Sequence, residues 1–300
     1  MNDQSVSAEQ TPDGVARRSL ISQFGATAAT VMAVGAAATG GVALSSTPAA
    51  AQGITDADIL NFALNLEYVE AEYYIRGFLG RGLDAADRGG VGGAGGFVLG
   101  GSAVPFRTEA IAAYARKITV DEVNHVRFLR RALGSAAVAA PNIDLLNSFN
   151  ALAAAAGLVP AGTQFNPFAD EVSFLLGAFI FEDVGVTAYA GAARLLTNRD
   201  FLDAAASILA IEAYHSGTVR TVLAQLGQQN AADAITRVRA AAGGGKEEGI
   251  VTGNLRFNTS PSDSDSLAFR RTTTEVLNIV YNGRSTGGGF LPDRATGTIR

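Results

Sequence analysis

The sequence contains no cysteine, no tryptophan and only two histidines. The absence of cysteine excludes disulfide bonds and thiolate metal ligands. The chain also lacks a basic excess, because 23 Lys and Arg residues stand against 28 Asp and Glu residues, for a formal net charge of −5. Such a balance argues against nucleic acid as a partner. With 48% apolar residues in 300 positions, the chain can still bury a large core without covalent cross-links.

The N-terminal segment has the order of features found in an export signal. Arg17 and Arg18 precede an apolar run over residues 24–44 that is rich in alanine and glycine, and a small-residue cleavage pattern ends at Ala51. This order resembles a twin-arginine signal, and the glycines in the run favour cleavage over a retained membrane anchor. We therefore predict that residues 1–51 are removed and that the mature chain, without a stable membrane span, is periplasmic or extracellular.

Helical periodicity dominates the remaining sequence, and no segment shows the alternation and hairpin turns of a β-sheet protein. Capping residues, glycines and prolines predict four long helices and three shorter ones, over about 55–80, 108–133, 143–157, 169–196, 201–226, 231–242 and 266–283. The fold class is therefore all-α. Two long helical hairpins joined by a long crossover connection predict a four-helix bundle over 52–228, followed by a C-terminal helical extension and tail over 229–300.

Two glycine-rich stretches are predicted to lack regular structure. Residues 89–101 include "GGVGGAGG", which does not follow a strand and therefore does not indicate a dinucleotide-binding site. We expect this stretch to be a flexible loop over one end of the bundle. Residues 243–249, "GGGKEEG", are expected to form a linker.

Both histidines lie three residues after a glutamate, in "TVDEVNHVRFLR" and "AIEAYHSGTVR". Residues three apart share a helix face, so Glu122 and His125 can contact one ion, and so can Glu212 and His215. With 12 glutamates in 300 residues, chance would place one at this position before a given histidine in 12/300, or 4%, of cases. The repetition of this spacing around the only two histidines therefore indicates a metal site.

The other two long helices each carry a glutamate on an apolar, core-facing stripe. Glu67 lies in "LEYVEAEYY" and Glu182 in "FEDVGVTAY", and each is followed seven residues later by a tyrosine, Tyr74 and Tyr189. A lone buried carboxylate is costly unless it is paired or binds a metal. The two halves of the chain thus repeat one order, in which a helix with a glutamate is followed by a helix with Glu-x-x-His.

Four glutamates and two histidines form the ligand set of di-iron and di-manganese carboxylate proteins. Four carboxylates balance two divalent ions, and this mixture of oxygen and imidazole ligands suits Fe or Mn. The sequence resembles the ferritin-like superfamily and, within it, exported ferritin-like domain proteins related to plant desiccation-related proteins. The segments "LNFALNLEYVEAEYY" and "TEVLNIVYNG…GGFLP" carry the narrower resemblance, which extends over about residues 56–292.

The resemblance implies a ferritin-like bundle and a role for each metal ligand. Glu122 and Glu212 would bridge the two metals, Glu67 and Glu182 would be terminal ligands, and each histidine would bind one metal. The glycine-rich loop and the tail after Gly243 depart from compact cage-forming ferritins, which argues against cage assembly. The sequence leaves open whether copies of the chain form a smaller homo-oligomer.

Four further side chains are candidates for contacts with the ligands. Glu70 is an alternative to Glu67, but its counterpart in the repeat is a glycine, so Glu67 is preferred. Asp121 can either orient a histidine from another helix or be an ordinary solvated aspartate. Tyr74 and Tyr189 can either donate to the ligands or be core tyrosines. The acidic residues expected to face solvent or to cap helices are Glu72, Asp183 and Glu171.

Two classes of function are compatible with this site. The first is redox chemistry on O2 or peroxide in oxidative or desiccation stress, as in an oxidase, a ferroxidase or a manganese-catalase-like enzyme. Peroxide disproportionation is attractive because it needs no reductase partner. The alternative is a non-catalytic protein that binds metal or sequesters iron and protects the cell under stress, a role that the resemblance supports only by association.

Overall fold

The computed structural model describes residues 53–160, 162–252 and 257–300, and the predicted export signal lies outside the described residues. Two short strands, β1 (Val98–Leu99) and β2 (Ile143–Asp144), pair in parallel. The α-helices of the described residues are α1 (Asp56–Leu79), α2 (Glu109–Leu133), α3 (Asn147–Ala156), α4 (Glu171–Ala192), α5 (Arg199–Gln225), α6 (Gln229–Ala242) and α7 (Thr273–Val280).

Helices α1, α2, α4 and α5 form a four-helix bundle. Helix α1 packs along α2 and α4 along α5, so that each pair is a helical hairpin, and contacts of α1 with α4 and of α2 with α5 close the bundle. The connection between the hairpins contains α3 and β2. The prediction of an all-α bundle with one long crossover connection and further C-terminal helices is therefore confirmed.

The ends of the bundle helices follow local sequence signals. Thr55 forms a capping box with Asp58 at the start of α1, and Gly80, at φ 69°, ends the helix in the left-handed conformation. Asp56 accepts hydrogen bonds from the backbone N–H groups of Thr197, at 2.9 Å, and Asn198, at 2.7 Å. The start of α1 is thereby fixed to the turn between α4 and α5, which sets the relative height of the two hairpins.

Helix α4 is apolar around nearly its whole circumference. By length and composition alone, the helical span Glu171–Leu195 could cross a membrane, since the mean hydropathy of its best window is 1.5. However, 83% of that window is buried inside the protein. The core helix of a bundle has the same composition, because it is surrounded by other helices instead of water.

The glycine-rich stretch 89–101 forms backbone hydrogen bonds with the segment after α2. The prediction that it lacks regular structure is therefore wrong. Strand β1 lies within it, and Gly96 donates its N–H to the carbonyl oxygen of Ala140 at 2.8 Å. A Cβ at Gly90 would lie 2.3 Å from the carbonyl oxygen of Ala137, and one at Gly96 would lie 2.4 Å from the backbone nitrogen of Asn142. Glycine is therefore needed here for close backbone approach as much as for turning.

The predicted linker, residues 243–249, is packed against the bundle instead of being free. Glu247 forms ion pairs with Arg239 of α6, at 2.9 Å, and with Arg271 before α7, at 2.7 Å. The side chains of both arginines are fully buried. Glu247 thus connects the parts of the C-terminal extension to one another. Arg220 of α5 connects the stretch to the bundle by donating to the Glu248 carbonyl oxygen at 2.6 Å.

Two acidic residues that were expected to face solvent or to cap helices are buried in ion pairs instead. Asp183 contacts Arg220 at 2.9 Å and Arg239 at 2.6 Å. Glu72 contacts Arg76 at 2.8 Å and is fully buried. Both predictions are wrong. The arginine partners of Asp183 lie on other helices, far away in sequence, and Glu72 also contacts Arg88, in the loop after α1, at 3.6 Å. Glu171, in contrast, lies in the first turn of α4 and accepts a hydrogen bond from the Thr108 hydroxyl.

Candidate metal centre

The six predicted ligands meet in the middle of the four-helix bundle. Each of the four glutamates is at most 1% exposed, whereas His125 is 8% and His215 is 5% exposed. The histidine side is therefore the edge of the cluster nearest to solvent. The contributing residues are Glu67 from α1, Glu122 and His125 from α2, Glu182 from α4, and Glu212 and His215 from α5.

One half of the cluster is centred on His125. Its Nδ1 atom lies 3.2 Å from Glu67 Oε2, 3.4 Å from Glu122 Oε2 and 3.5 Å from Glu212 Oε1. These four side chains can each direct one ligand atom towards a common point, with all four atoms within 4.8 Å of one another. We call this group the His125 half-site.

The other half is centred on His215, and we call it the His215 half-site. Its Nδ1 atom lies 3.0 Å from Glu122 Oε1 and 3.3 Å from Glu182 Oε2. Glu122 thus directs one carboxylate oxygen to each histidine and connects the two half-sites. The two imidazole rings are 6.4 Å apart between centroids.

The buried ligand atoms are not satisfied by the protein itself. Nine side-chain atoms in the cluster are buried and have no hydrogen-bond partner among the described residues. Native proteins rarely leave so many buried polar atoms without partners, so each needs an explanation such as a bound ion. The nine atoms are Glu67 Oε2, Glu70 Oε2, both carboxylate oxygens of Glu122 and of Glu212, Glu182 Oε2, and the Nδ1 atoms of His125 and His215.

Burial raises the pKa of most glutamates in the cluster. It raises the pKa of Glu67 to about 7, although the positive charge of His125 acts in the opposite direction. Burial, together with the charge of Glu122, places the pKa of Glu212 well above its usual range. Glu182 shifts in the same direction, again chiefly through burial. The cluster therefore holds more negative charge than its surroundings stabilise.

The pKa values of Glu122 and of the two histidines shift as expected for groups that lie within this excess negative charge. Burial alone would raise the pKa of Glu122, but the two histidines on either side lower it below its usual range. Burial alone would lower the pKa of His125 and His215, but the surrounding carboxylates raise both well above their usual values. The carboxylates thus attract positive charge, which can come from protons or from metal ions.

The two tyrosines predicted near the site donate to ligands, and each reaches across the bundle. Tyr74 of α1 donates its hydroxyl proton to Glu182 Oε1 on α4. Tyr189 of α4 donates to Glu67 Oε1 on α1. In both glutamates the other oxygen, Oε2, is the one that faces a histidine. The phenols therefore hold the outer oxygen and leave the inner oxygen available.

Asp121 contacts a ligand in only one half of the site. It lies 3.0 Å from His215 Nε2 and forms an ion pair with Lys117 on its exposed side. A carboxylate at Nε2 fixes a histidine with its N–H outwards and its Nδ1 lone pair inwards, as a metal ligand requires. The residue that corresponds to Asp121 in the second half of the chain is Ile211.

Glu70 belongs to the cluster in addition to Glu67. The sequence presented the two glutamates as alternatives, but one of the Glu70 oxygens comes within 4.8 Å of ligand atoms from Glu182 and Glu212. Glu70 is buried, and its Oε2 atom has no hydrogen-bond partner among the described residues. Spacing in the sequence could have suggested both, because Glu67 and Glu70 share a helix face.

Comparison with known proteins agrees with this geometry. The profile of the ferritin-like domain family matches residues 55–225, which is more than half of the chain and includes all six predicted ligands. The chain therefore belongs to the ferritin-like domain family. The predicted relation to desiccation-related proteins is also confirmed, because such a protein is among the relatives found.

Two relatives match over most of their length. A ferritin-like catalase, Nec2, from Nesocodon mauritianus is 29% identical over 269 residues, covering 81% of this chain and 84% of its own. The desiccation-related protein PCC13-62 from Craterostigma plantagineum is 27% identical over 269 residues, covering 81% of this chain and 83% of its own. No solved structure matches the chain significantly.

Proposed function

We propose that this protein binds two divalent metal ions, Fe or Mn, between its four bundle helices and uses them to convert hydrogen peroxide into water and O2. The observation that carries the proposal is the set of nine buried, unpartnered oxygen and nitrogen atoms in the cluster. Oxygen ligands with one imidazole per half-site suit these ions. The relative named as a ferritin-like catalase supports peroxide as the substrate.

Peroxide disproportionation needs no partner protein. One peroxide molecule takes up two electrons and two protons and becomes two water molecules, while a second gives up two electrons and two protons and becomes O2. Two adjacent ions that each change by one electron would supply and recover this pair of electrons. The reaction is therefore balanced in electrons and protons without a reductase.

The side chains of this chain would position and protect that chemistry. Tyr74 and Tyr189 hold the outer oxygens of Glu182 and Glu67, and Asp121 orients a histidine from outside. Apolar residues surround the glutamates and exclude bulk water. His125, His215 and Glu70 are each only 5–8% exposed, which favours a substrate as small as peroxide over a larger one.

The direct test is metal analysis of the natively produced protein, followed by measurement of O2 evolution from peroxide. We expect about two Fe or Mn ions per chain, as the ferritin-like ligand set holds. Replacing a central ligand, as in Glu122→Gln or Glu212→Gln, should lower O2 evolution by more than the roughly 10- to 100-fold that changes outside the ligands cost. Glu275→Gln, which removes a carboxylate at the start of α7, is the matched control and should keep full activity.

The proposal fails if the protein, loaded with Fe or Mn in turn, evolves no O2 from peroxide. It also fails if the Glu122→Gln and Glu212→Gln variants keep the activity of the unaltered protein. Circular dichroism and thermal unfolding of each variant establish that a loss of activity is not a loss of fold.

Metal binding for protection without turnover is the second candidate. It is favoured by the desiccation-related relative, which matches this chain over nearly the same length as the catalase. In that case the metal-loaded protein would bind Fe or Mn and gain thermal stability, but would not evolve O2. The Glu122→Gln variant would then lose metal and stability without any change in peroxide consumption.

We also propose that the chain is exported through a twin-arginine signal and cleaved after Ala51. The support is the sequence order of Arg17-Arg18, the weakly apolar run and the small residues before the cleavage position. A reporter fused to residues 1–60 should be exported and should carry an N-terminus at Gln52 by mass spectrometry. Changing both arginines to lysine should abolish export, and unaltered export would contradict the proposal.

A further inference from the structure

We propose that Glu70 is an additional metal ligand on the His215 half-site, and that this position, where Asp121 also orients the histidine, fills first. This inference rests on the proposed two-metal centre but not on its reaction. It goes beyond the twofold ligand set of four glutamates and two histidines, which treats the two positions as equal.

The position of Glu70 supports a ligand role directly. Glu70, Glu182 and Glu212 can each offer one oxygen, and the three oxygens lie within 4.8 Å of one another. Glu182 is also the terminal glutamate of the His215 half-site, at 3.3 Å from His215 Nδ1. Glu182 belongs to the His215 half-site and Glu212 to the His125 half-site, so Glu70 lies between the two. The His125 half-site already has three carboxylates, from Glu67, Glu122 and Glu212, whereas the His215 half-site has two, from Glu122 and Glu182. Glu70 therefore supplies the third carboxylate of the His215 half-site.

The surroundings of Glu70 leave a metal ion as its natural partner. The residue is 5% exposed, and its Oε2 atom has no hydrogen-bond partner among the described residues. Buried carboxylates are paired, protonated or bound to metals. Among the described residues, arginine and lysine form ion pairs with Glu72 and Asp183 but none with Glu70. The polar groups near Glu70 are carboxylates of the cluster, those of Glu182 and Glu212.

The second half of the chain cannot supply an equivalent ligand. The counterpart of Glu70 is Gly185, where a Cβ would lie 2.3 Å from Glu212 Oε2. The missing side chain at Gly185 leaves the space that Glu212 occupies, and the Glu70 oxygen Oε1 lies 3.5 Å from the same Cβ position. Glu70 and Gly185 are thus complementary, because one side chain enters the region that the other leaves empty.

A second and independent difference falls on the same half-site. Asp121 contacts His215 Nε2, whereas Ile211 stands at the corresponding position for His125. An oriented histidine binds a metal ion more tightly. With Glu70, the His215 half-site has as many carboxylates as the His125 half-site, and it has the oriented imidazole in addition, which favours tighter binding at this position.

Charge points in the same direction. The cluster contains five glutamates, Glu67, Glu70, Glu122, Glu182 and Glu212. Two divalent ions neutralise four of these carboxylates, and the fifth raises the negative charge next to whichever ion it binds. Glu70 thus brings the His215 side to the three carboxylates that the His125 side already has, and the His215 position holds a cation more tightly with Glu70 than it would without it.

The test is an Mn²⁺ titration of the purified protein after a chelator has removed its metal, with free Mn²⁺ followed by electron paramagnetic resonance. The unaltered protein should bind in two steps whose dissociation constants differ by about 10-fold or more. Glu70→Gln should weaken the tighter step by at least about 10-fold and leave the weaker step nearly unchanged. Two steps of equal affinity in the unaltered protein would overturn the inference.

Glu72→Gln is the matched control, because it removes another buried carboxylate from α1 that pairs with Arg76 outside the centre. It should lower thermal stability without changing either binding step. If Glu70→Gln does not fold, crystals of the unaltered protein grown with limiting Mn²⁺ still decide the matter. Anomalous scattering should then show manganese at the His215 half-site, and a peak at the His125 half-site, or equal peaks, would refute the inference.

These measurements separate the inference from the proposed reaction. Unequal binding without O2 evolution would leave the inference standing and remove the catalase proposal. Equal binding with O2 evolution would do the reverse. The outcome of the binding measurement does not depend on the outcome of the O2-evolution measurement.

Discussion

The first hairpin, α1–α2, and the second hairpin, α4–α5, share their inner residues and differ in the residues around them. The shared positions form four pairs, namely Glu67 with Glu182, Tyr74 with Tyr189, Glu122 with Glu212, and His125 with His215. The two tyrosines make corresponding contacts, since each donates across the bundle to the terminal glutamate of the other hairpin. The central glutamates differ, because among the described residues Glu122 faces both histidines and Glu212 faces His125. The repeat therefore extends from the ligands to the groups that hold them.

The differences lie one step outward and are chemical, not merely steric. The first hairpin has Glu70 and Asp121 where the second has Gly185 and Ile211. Two charged side chains of the first hairpin thus correspond to a glycine and an apolar side chain in the second. Tyr68, which contacts Arg130, has Asp183, which contacts Arg220, as its counterpart. A repeated ligand set can thus hold two ions, while divergence around it makes the two positions unequal and ties one hairpin to the C-terminal extension.

The largest expected effect is on the free energy of unfolding, and it concerns Tyr68 and Asp183, which occupy corresponding positions in the two hairpins. Asp183→Ala should lower the free energy of unfolding by about 3–5 kcal/mol, because it leaves Arg220 buried without a carboxylate and Arg239 with Glu247 alone. Tyr68→Phe removes only a neutral hydroxyl from Arg130 and should cost about 1 kcal/mol. Urea unfolding followed by circular dichroism measures both.

The exposed residue Asp203 provides the control for this pair, since Asp203→Ala should change stability by less than about 0.5 kcal/mol. Equal losses in Asp183→Ala and Tyr68→Phe would show that the ion pairs with the extension contribute no more than the neutral contact of the first half.

The next effect concerns the groups behind the histidines. Asp121→Asn should weaken Mn²⁺ binding at the His215 half-site by about 10- to 100-fold, because the imidazole loses the carboxylate that orients it. Ile211→Asp places an aspartate at the corresponding position behind His125 and should bring the two binding steps closer together. Calorimetric titration with Mn²⁺ measures both changes.

Lys117→Ala is the control for this comparison. It removes the exposed partner of Asp121 but keeps the contact with His215, so binding should change little. If Lys117→Ala weakens binding as much as Asp121→Asn does, the salt bridge and not the orientation of His215 controls affinity.

A smaller effect is expected from pH, through protons that compete with metal. The pKa of Glu67 rises from an unfolded value of 4.5 to about 7 in the fold, so the folded state binds this proton more tightly. The metal-free protein therefore loses stability from Glu67 as pH rises from about 4.5 to 7. Glu70, Glu182 and Glu212 shift in the same direction. Metal ions remove this loss, because they stabilise the ionised carboxylates.

The measurement is the rise in melting temperature when Mn²⁺ is added, at pH 5.5 and at pH 7.5. The rise should be larger at pH 7.5, by an amount on the order of a few degrees. The groups with lowered pKa values, such as Asp183, lose their stabilising contribution only as pH falls below about 3.8 and do not affect this window. An equal rise at both pH values would mean that protons and metal do not compete for these carboxylates.

Much of the bundle and its cluster could be predicted because helical geometry is local. The three-residue spacing in Glu122–His125 and Glu212–His215 places both side chains on one helix face whatever the rest of the chain does. Tyr74 and Tyr189 follow from the same periodicity, although their reach across the bundle depends on the packing of α1 against α4. The positions of side chains on regular helices with repeated spacing can thus be predicted from the sequence with little further information.

The remaining features depend on partners that are distant in sequence. Asp183 is 37 residues before Arg220 and 56 before Arg239. Because its partners are so distant in sequence, no local pattern predicts that Asp183 is buried. The repeat argues against Glu70 because its counterpart is a glycine, yet the space left at Gly185 is what accommodates Glu212 beside Glu70. The assumption of exact symmetry predicts the six clustered residues but excludes Glu70, which has no counterpart in the second half.

The smallest expected effect concerns Tyr74 and Tyr189, whose contacts are alike in the two halves of the chain. Tyr74→Phe and Tyr189→Phe each remove one hydroxyl donor from a terminal glutamate, so each should lower the free energy of unfolding of the metal-loaded protein by about 1 kcal/mol. The two losses should agree within about 0.5 kcal/mol and should add in the double variant, because the tyrosines contact different glutamates. Tyr281→Phe, which removes a buried hydroxyl that accepts from the Ala295 N–H outside the centre, controls for the loss of any such group. Unequal losses would mean that the asymmetry set by Glu70 and Asp121 extends inward to the tyrosines, whereas equal losses confine it to the outer contacts.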